Sequence, residues 1–368
     1  MKHFQPVGEV VETEVPVLDD DARLVLREDF RMRREDHFVS FWRVGDDATV
    51  WDHVRLDPST AVMIALFDGK RTVGQVIKDF TWVAKVSEKD ARIALGRFMN
   101  DDEGRLIPTD GIPEEKHSRY DPRSFIIPFS EVSITRKRTF APLSLVWMIT
   151  NSCVADCIYC FAERQRHGKG GPPLPLSRVI EILDEAASLH IGGIVIEGGD
   201  PFTHPQIVEI IEAMIARDIH VAVSTKCGLS EEMIGRLSDV GLRRLQVSID
   251  TLDEQTHAFL TQSPGLLPKT LGTIEHALAA GFSTLVNAVL TPYNLHQIRP
   301  LVEKLVSMGV YSINFSEYVR SGYVPREDLF LTSEQYEEAS QMAEELKEKY
   351  DDRNIRVERL ATLPFAER

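Results

Sequence analysis

Cysteine is scarce, with four in 368 residues, and positive charge runs short: 42 Lys and Arg stand against 57 Asp and Glu, a net charge of −15. So few cysteines exclude a disulfide scaffold. The acidic balance argues against general affinity for nucleic acid or an anionic membrane, either of which needs a basic face. Long apolar runs are missing too. Nowhere do about eighteen apolar residues follow one another, as a spanning helix requires, and the opening MKHFQPVGEV lacks the apolar stretch of a secretion signal. These shortages imply a cytoplasmic protein without nucleic-acid or membrane partners, in a compartment where free thiols persist. The 43% hydrophobic content is enough for two or three packed domains.

Three of the four thiols nevertheless stand together, in NSCVADCIYC at residues 151–160. Cys153, Cys157 and Cys160 lie within one short stretch, and Cys227 is far downstream. Soft thiolates select zinc, copper(I) or iron with sulfide. A structural zinc site closes four ligands, usually from two short pairs, and no second pair exists here. Three local thiolates can instead hold three irons of a four-iron, four-sulfide cluster and leave the fourth iron open. Positions i, i+4 and i+7 also share a helical face, so three small buried residues of a packed helix are the plain alternative.

From Ser144 onward apolar runs alternate with amphipathic stretches. Strands are expected at Leu145 to Thr150, Gly193 to Glu197, His220 to Ser224, Arg244 to Ile249, Leu285 to Leu290 and Tyr311 to Ser316. Helices are expected near Ser177 to His190, Pro205 to Arg217, Ser230 to Val240, Lys269 to Ala280, Leu295 to Ser307 and Thr332 to Tyr350, with an extra strand near Ile355 to Leu360. Strand followed by helix means parallel strands with right-handed crossovers, and chemistry on the loops at the strand C-termini. The cysteine stretch follows the first strand. Glu197-Gly198-Gly199-Asp200-Pro201-Phe202 follows the second, with glycines that let backbone approach a ligand. Ser224-Thr225-Lys226-Cys227 ends the third. On the fourth, Ser248 and Asp250 share a face. Asn287 lies in the fifth, and Asn294 reads as a cap for the next helix. Cys227 reads as a core residue, and His190, His204, His220 and His257 as surface or turn histidines.

With C-x3-C-x2-C, an aromatic before the last cysteine and an apolar strand ahead of it, this half of the chain resembles the radical S-adenosylmethionine enzymes. The resemblance implies an α/β fold with a partial (β/α)6 barrel over residues 144–368. It implies a [4Fe-4S] cluster on Cys153, Cys157 and Cys160, as catalytic and metal-binding residues. An external one-electron reductant would drive cleavage of S-adenosylmethionine to a 5′-deoxyadenosyl radical, which takes hydrogen from the substrate. Gly198, Gly199, Asp200 and Pro201 resemble that family's GGEP motif, whose carboxylate and backbone hold the cofactor's amino group, with Asp in place of the commoner Glu. Tyr159, Ser224, Thr225, Ser248, Asp250 and Asn287 complete the implied cofactor site, where Lys226 departs from the usual pattern. No cysteine follows Cys227, so no auxiliary cluster is expected.

Residues 1–110 read as a separate domain. Strands are expected at Arg23 to Met32, His37 to Trp42 and Thr49 to Leu56, with a turn at Gly45-Asp46-Asp47. Helices are expected after Asp57-Pro58-Ser59, from Thr72, and at Ser87 to Met99, making a small winged-helix-like α+β unit. The turn Asp68-Gly69-Lys70-Arg71-Thr72-Val73 and the closing Gly104-Arg105-Leu106-Ile107 resemble the PqqD-like peptide-recognition domain. That resemblance implies a precursor peptide as partner, its leader bound by residues 20–107 along an edge strand at Val39 to Trp42. A structural or dimerising cap is the alternative. Proline-rich residues 111–143 read as a linker. The expected function is a radical enzyme that matures a ribosomally made peptide. The same chemistry on a small molecule, or a non-catalytic protein keeping zinc or a cluster, are the alternatives.

Overall fold

The computed structural model describes residues 19–45, 48–99, 104–114, 117, 120–133, 138–162, 172–310, 312–319, 326–350 and 356–357. Asp46 and Asp47 of the expected turn, Tyr311, and most of the expected strand at Ile355 to Leu360 lie outside them. The chain divides into two units at Pro142 and Leu143, with residues 46–49 grouped with the second.

The first unit runs β1 (Arg23–Leu26), β2 (Phe30–Arg34), β3 (Val39–Val44), β4 (Val50–Leu56), α1 (Pro58–Ala65), β5 (Asp68–Thr72), α2 (Val73–Ala84), α3 (Glu88–Met99) and β6 (Leu106–Pro108). Local chemistry sets the helix starts. Asp57 accepts the Thr60 amide at 2.9 Å. Thr72 and Gln75 form a reciprocal capping box, and Ser87 accepts the Asp90 amide. The core gathers Phe30, Phe41, Met63, Ile77 and Leu95, with Phe41 stacked on Phe30 and edge-on to Phe98.

Three expectations need correction here. Arg23 to Met32 is two strands, broken where Arg27 folds back onto Asp29, and its halves join different antiparallel sheets, β5-β1-β6 and β2-β3-β4. Asp68 to Thr72, expected as a turn, is the strand β5. Val39 to Trp42 is no edge. β3 lies between β2 and β4 with ladders on both sides, and Val39, Ser40, Phe41 and Trp42 are all buried. Burial on both faces is the mark of a central strand.

The expected linker also packs into this unit. Phe125 and Ile127 are buried in the same core. Arg33 donates to the carbonyls of Ala141 and Pro142 at 2.7 and 3.0 Å, while its partner Glu35 accepts from Ser40 and the Phe140 amide. Both members of this ion pair are about fully enclosed, with side chains 1% exposed.

The second unit carries β7 (Ser144–Thr150), α4 (Leu176–Ser188), β8 (Gly193–Gly198), α5 (Ile207–Ile215), β9 (His220–Thr225), α6 (Glu231–Asp239), β10 (Arg244–Ser248), α7 (Glu254–Thr261), α8 (Leu267–Ala279), β11 (Ser283–Leu290), α9 (Ile298–Met308), β12 (Ser312–Glu317), α10 (Ser333–Tyr350) and β13 (Arg356–Val357). Its strands make one parallel sheet in chain order from β7 to β13. That is the expected α/β architecture, a partial barrel of βα units with one short strand added. Leu245 and Val247 of β10, Val286 of β11 and Ile313 of β12 belong to the core. Alternate positions turn the other way, so Ser248, Asn287 and Asn314 stand abreast on three adjacent strands. α7 was not foreseen from the sequence. Asp253 caps it by accepting the Thr256 amide. It buries His257 at 0% exposure, and His204 is buried at 2%, so neither is a surface histidine. No helix among the described residues is long and apolar enough to cross a membrane.

Candidate active site

The cysteine loop leaves β7 and is pinned from one side by α7. The amides of Asp156 and Ile158, flanking Cys157, donate to the carbonyls of Thr261 and Leu260 at 2.9 Å each. Cys157 is buried, and Cys153 and Cys160 are partly exposed. All three line a cavity of about 540 Å³, together with Gly198, Gly199, Asp200 and Pro201 after β8 and Ser224 and Thr225 of β9. Ser248 and Asn287 line it too. The structure thus brings most of the expected site residues to one place. Asp250 lies beneath it rather than in the wall. Cys227 sits in the core, as expected.

The glycines are needed for close approach. The amide of Gly199 donates to Thr150 and that of Asp200 to Ser152, each at 2.7 Å, sewing the second loop onto the first. Gly198 has φ +149°, and a Cβ on either glycine would lie well under 3.0 Å from carbonyl oxygens of residues 150 and 152.

Asp200 is also engaged within the protein. It is 2% exposed, and its carboxylate accepts from the Thr225 hydroxyl at 2.9 Å, the Lys226 amide at 2.7 Å and the Phe202 amide at 3.1 Å. Three donors converge on this carboxylate, and two of them, the Thr225 hydroxyl and the Lys226 amide, tie the β8 loop to the end of β9. Thr225 is likewise committed, since its hydroxyl donates to Asp200 and accepts the Cys227 amide.

Beneath the cavity lies a buried polar network. Asp250, with a side chain 0% exposed, accepts from the Tyr159 hydroxyl, from Lys226 Nζ at 3.1 Å and from the Val289 amide at 2.9 Å. Lys226 also reaches the Ser248 carbonyl and lies 5.5 Å from the centre of the Tyr159 ring. Burial alone would pull the Lys226 ammonium down, but Asp250, Cys157 and Cys153 together hold the group above its ordinary range. Burial and that same carboxylate push Tyr159 well above the usual phenol value. Burial pushes the Cys157 thiol up to about 12, with Lys226 pulling the other way. Asn294 clamps the floor. Its amide donates to the carbonyls of Asp250 and Val289 and its oxygen accepts from Thr291, so it braces this loop instead of capping the next helix.

Lys226, Gln246, Asn314, Ser316, Glu197 and Glu317 also line the cavity without having been assigned from the sequence. The available signal was period two: Gln246 and Ser248 on β10, and Asn314 and Ser316 on β12, are polar residues on otherwise apolar strands. Asn314 and Ser316 both donate to Asn287 Oδ1, which leaves the Asn287 amide nitrogen for the cavity. Burial raises the carboxyl groups of Glu197 and Glu317.

The donor set suits a multi-iron cluster. Three soft sulfurs share one wall of a cavity sized for a bound small molecule, which takes about 300 to 1,000 Å³. Among the described residues no three His, Cys, Asp or Glu side chains are gathered around a single ion.

Residues 147–305 match the Radical SAM superfamily. The AdoMet-dependent heme synthase of Methanosarcina barkeri is 28% identical over 185 residues, 50% of this chain and 53% of that protein. The PqqA peptide cyclase of Granulibacter bethesdensis is 26% identical over 211 residues, 56% of each chain. The chain therefore spans about half the length of the relatives it matches. The crystal structure of Streptococcus suis SuiB bound to precursor peptide SuiA has the same fold, with a TM-score of 0.66 at 16% identity over 90% of this chain and 72% of that one. Family match, strand order and the three thiols agree: residues 147–305 match a radical S-adenosylmethionine domain, a family that uses a [4Fe-4S] cluster and S-adenosylmethionine.

Proposed function

We propose that this chain is a radical enzyme that modifies a ribosomally made peptide, with Cys153, Cys157 and Cys160 as the cluster ligands. When bound, cluster and S-adenosylmethionine together supply a 5′-deoxyadenosyl radical, with the electron coming from an external one-electron reductant. In this reading the chain's own residues hold and enclose. Ser224, Ser248, the Asn287 amide and the backbone around Gly198 and Gly199 contact S-adenosylmethionine directly. Asp200, Pro201 and Thr225 shape that turn, and Tyr159 and Asp250 brace the floor beneath it. Phe161 and Val319, 62% and 67% exposed, give the cavity an apolar rim for an organic substrate.

The observation that carries the peptide reading is the reach of the fold match. The SuiB fold extends over 90% of this chain, the first unit included, whereas the sequence matches to the heme synthase and to the peptide cyclase alike stop at about half. In that unit the strand available for a leader is β4. It is an edge of its sheet among the described residues, and Trp51 and Val54 are exposed. An extended peptide adding there would pair by backbone hydrogen bonds, and tethering would raise the effective concentration of the segment to be modified.

Two measurements test this. Protein reconstituted without oxygen should bind about four irons per chain and release 5′-deoxyadenosine from S-adenosylmethionine under reduction, with each activity lost on changing Cys153, Cys157 or Cys160 to Ala. One tightly held zinc and no 5′-deoxyadenosine would overturn the radical reading. Adding the precursor peptide encoded nearest to this chain should slow amide exchange at Val50 to Leu56. Protection confined to residues 144–317 would instead favour the small-molecule reading, which the heme synthase similarity supports.

A further inference from the structure

A second cavity, of about 330 Å³, adjoins the first, and Glu317 at the end of β12 lines both. Its walls are aromatic and acidic. Tyr318 and Phe330 meet edge to face with ring centres 4.9 Å apart, Tyr336 stands beside them, and Glu317 and Glu337 supply two carboxylates. No Lys or Arg is among its described lining residues. Tyr336 donates a hydrogen bond to Glu317, yet burial still raises that carboxyl, so water serves it poorly.

Thr332 and Ser333 bring the start of α10 to the same cavity, and a helix start by itself favours an anion. Here that end is already served. Thr332 and Gln335 cap each other reciprocally, and Glu334 lies in the first turn. An incoming anion would also meet Glu317 and Glu337. Aromatic faces with two carboxylates, and no Lys or Arg among the described lining residues, favour a positive group carried on an alkyl stem.

We propose that this second cavity receives the ammonium or guanidinium group of a substrate side chain, placed next to the segment that reacts in the larger cavity. The placement relative to chemistry rests on the radical reading above; the cation site does not.

The test uses the full chain labelled with 3-fluorotyrosine, with Tyr318 and Tyr336 resolved by fluorine NMR and assigned with Tyr→Phe variants. The probes are n-butylammonium, n-butylguanidinium, n-butanol, butyrate and the peptide acetyl-Gly-Lys-Gly-amide. Saturable shifts of these two resonances are expected with the cations alone, at least tenfold weaker in Glu337→Gln, whose side chain lies on the exposed face of α10. Tighter binding of the lysine peptide than of butylammonium assigns the site to a peptide, and the reverse assigns it to a free amine. Equal response to butanol or butyrate, no saturable shift, or unchanged affinity in Glu337→Gln overturns the proposal. Release of 5′-deoxyadenosine is measured on the same preparation. Its absence with cation binding intact sinks the radical reading alone, and its presence without cation binding sinks this site alone.

Discussion

Gly199→Ala is expected to destabilise the protein by about 3 kcal/mol or more, above the usual overpacking cost because the obstacle is backbone. The added Cβ would lie well under 3.0 Å from the Ser152 carbonyl oxygen and carbon and 2.9 Å from the Asn151 carbonyl carbon, none of which can swing aside as a side chain does. Relief requires parting the loops after β7 and β8, and with them the 2.7 Å bonds from Gly199 to Thr150 and from Asp200 to Ser152. Those loops carry the cysteines and the floor of Asp200, so iron content after reconstitution should fall together with the unfolding midpoint. Gly235→Ala is the control. It lies within α6 with nothing inside 4 Å of the new methyl group, so a change of about 0.5 to 1 kcal/mol in the stabilising direction is expected. Thermal unfolding of both variants, with iron counted per chain, decides it. A Gly199→Ala protein that melts with the wild type and loads iron fully would mean that the seam yields.

What the sequence displayed and what it hid follow from how local each cause is. The cysteine stretch, the strand-then-helix alternation and the polar positions of β10 are local patterns, and the structure places them as those patterns imply. Pairing is not local. Val39 to Trp42 has the composition of any good strand, and nothing in its own residues says whether it has one neighbour or two. Asp200 shows another non-local cause. A motif position suggested a ligand contact, but Thr225, Phe202 and the Lys226 amide converge on the carboxylate only once β8 and β9 lie side by side. Lys226 looked like a departure from pattern because its partner, Asp250, is 24 residues away on the next strand's end.

That pair gives the second large effect. Asp250→Ala is expected to cost about 3 to 5 kcal/mol, the range for removing one partner of a buried ion pair. It would leave the Lys226 ammonium, 12% exposed, with only the Ser248 carbonyl at 3.3 Å, and would strip a partner from the Tyr159 hydroxyl and the Val289 amide. Lys226→Met should be milder. The remaining carboxylate keeps the Tyr159 hydroxyl and the Val289 amide as donors, and Met fills much of the space of the Lys stem. Combining Lys226→Met with Asp250→Asn removes both charges and keeps an acceptor for Val289, so the double variant should be more stable than Asp250→Ala; with the Asp250→Asn single variant closing the cycle, the coupling between the sites should be about 0.5 to 3 kcal/mol. Because Tyr159 stands between Cys157 and Cys160, the same network steadies the cysteine loop from below while α7 holds it from the side. Iron loading should therefore track stability across the series, lowest in Asp250→Ala and largely restored in the double variant. Urea unfolding and iron content per chain measure both. If the double variant loads no more iron than Asp250→Ala, the stranded Lys226 charge is not what loosens the loop, and the loss of the Asp250 carboxylate itself, with its bonds to Tyr159 and Val289, would have to account for it.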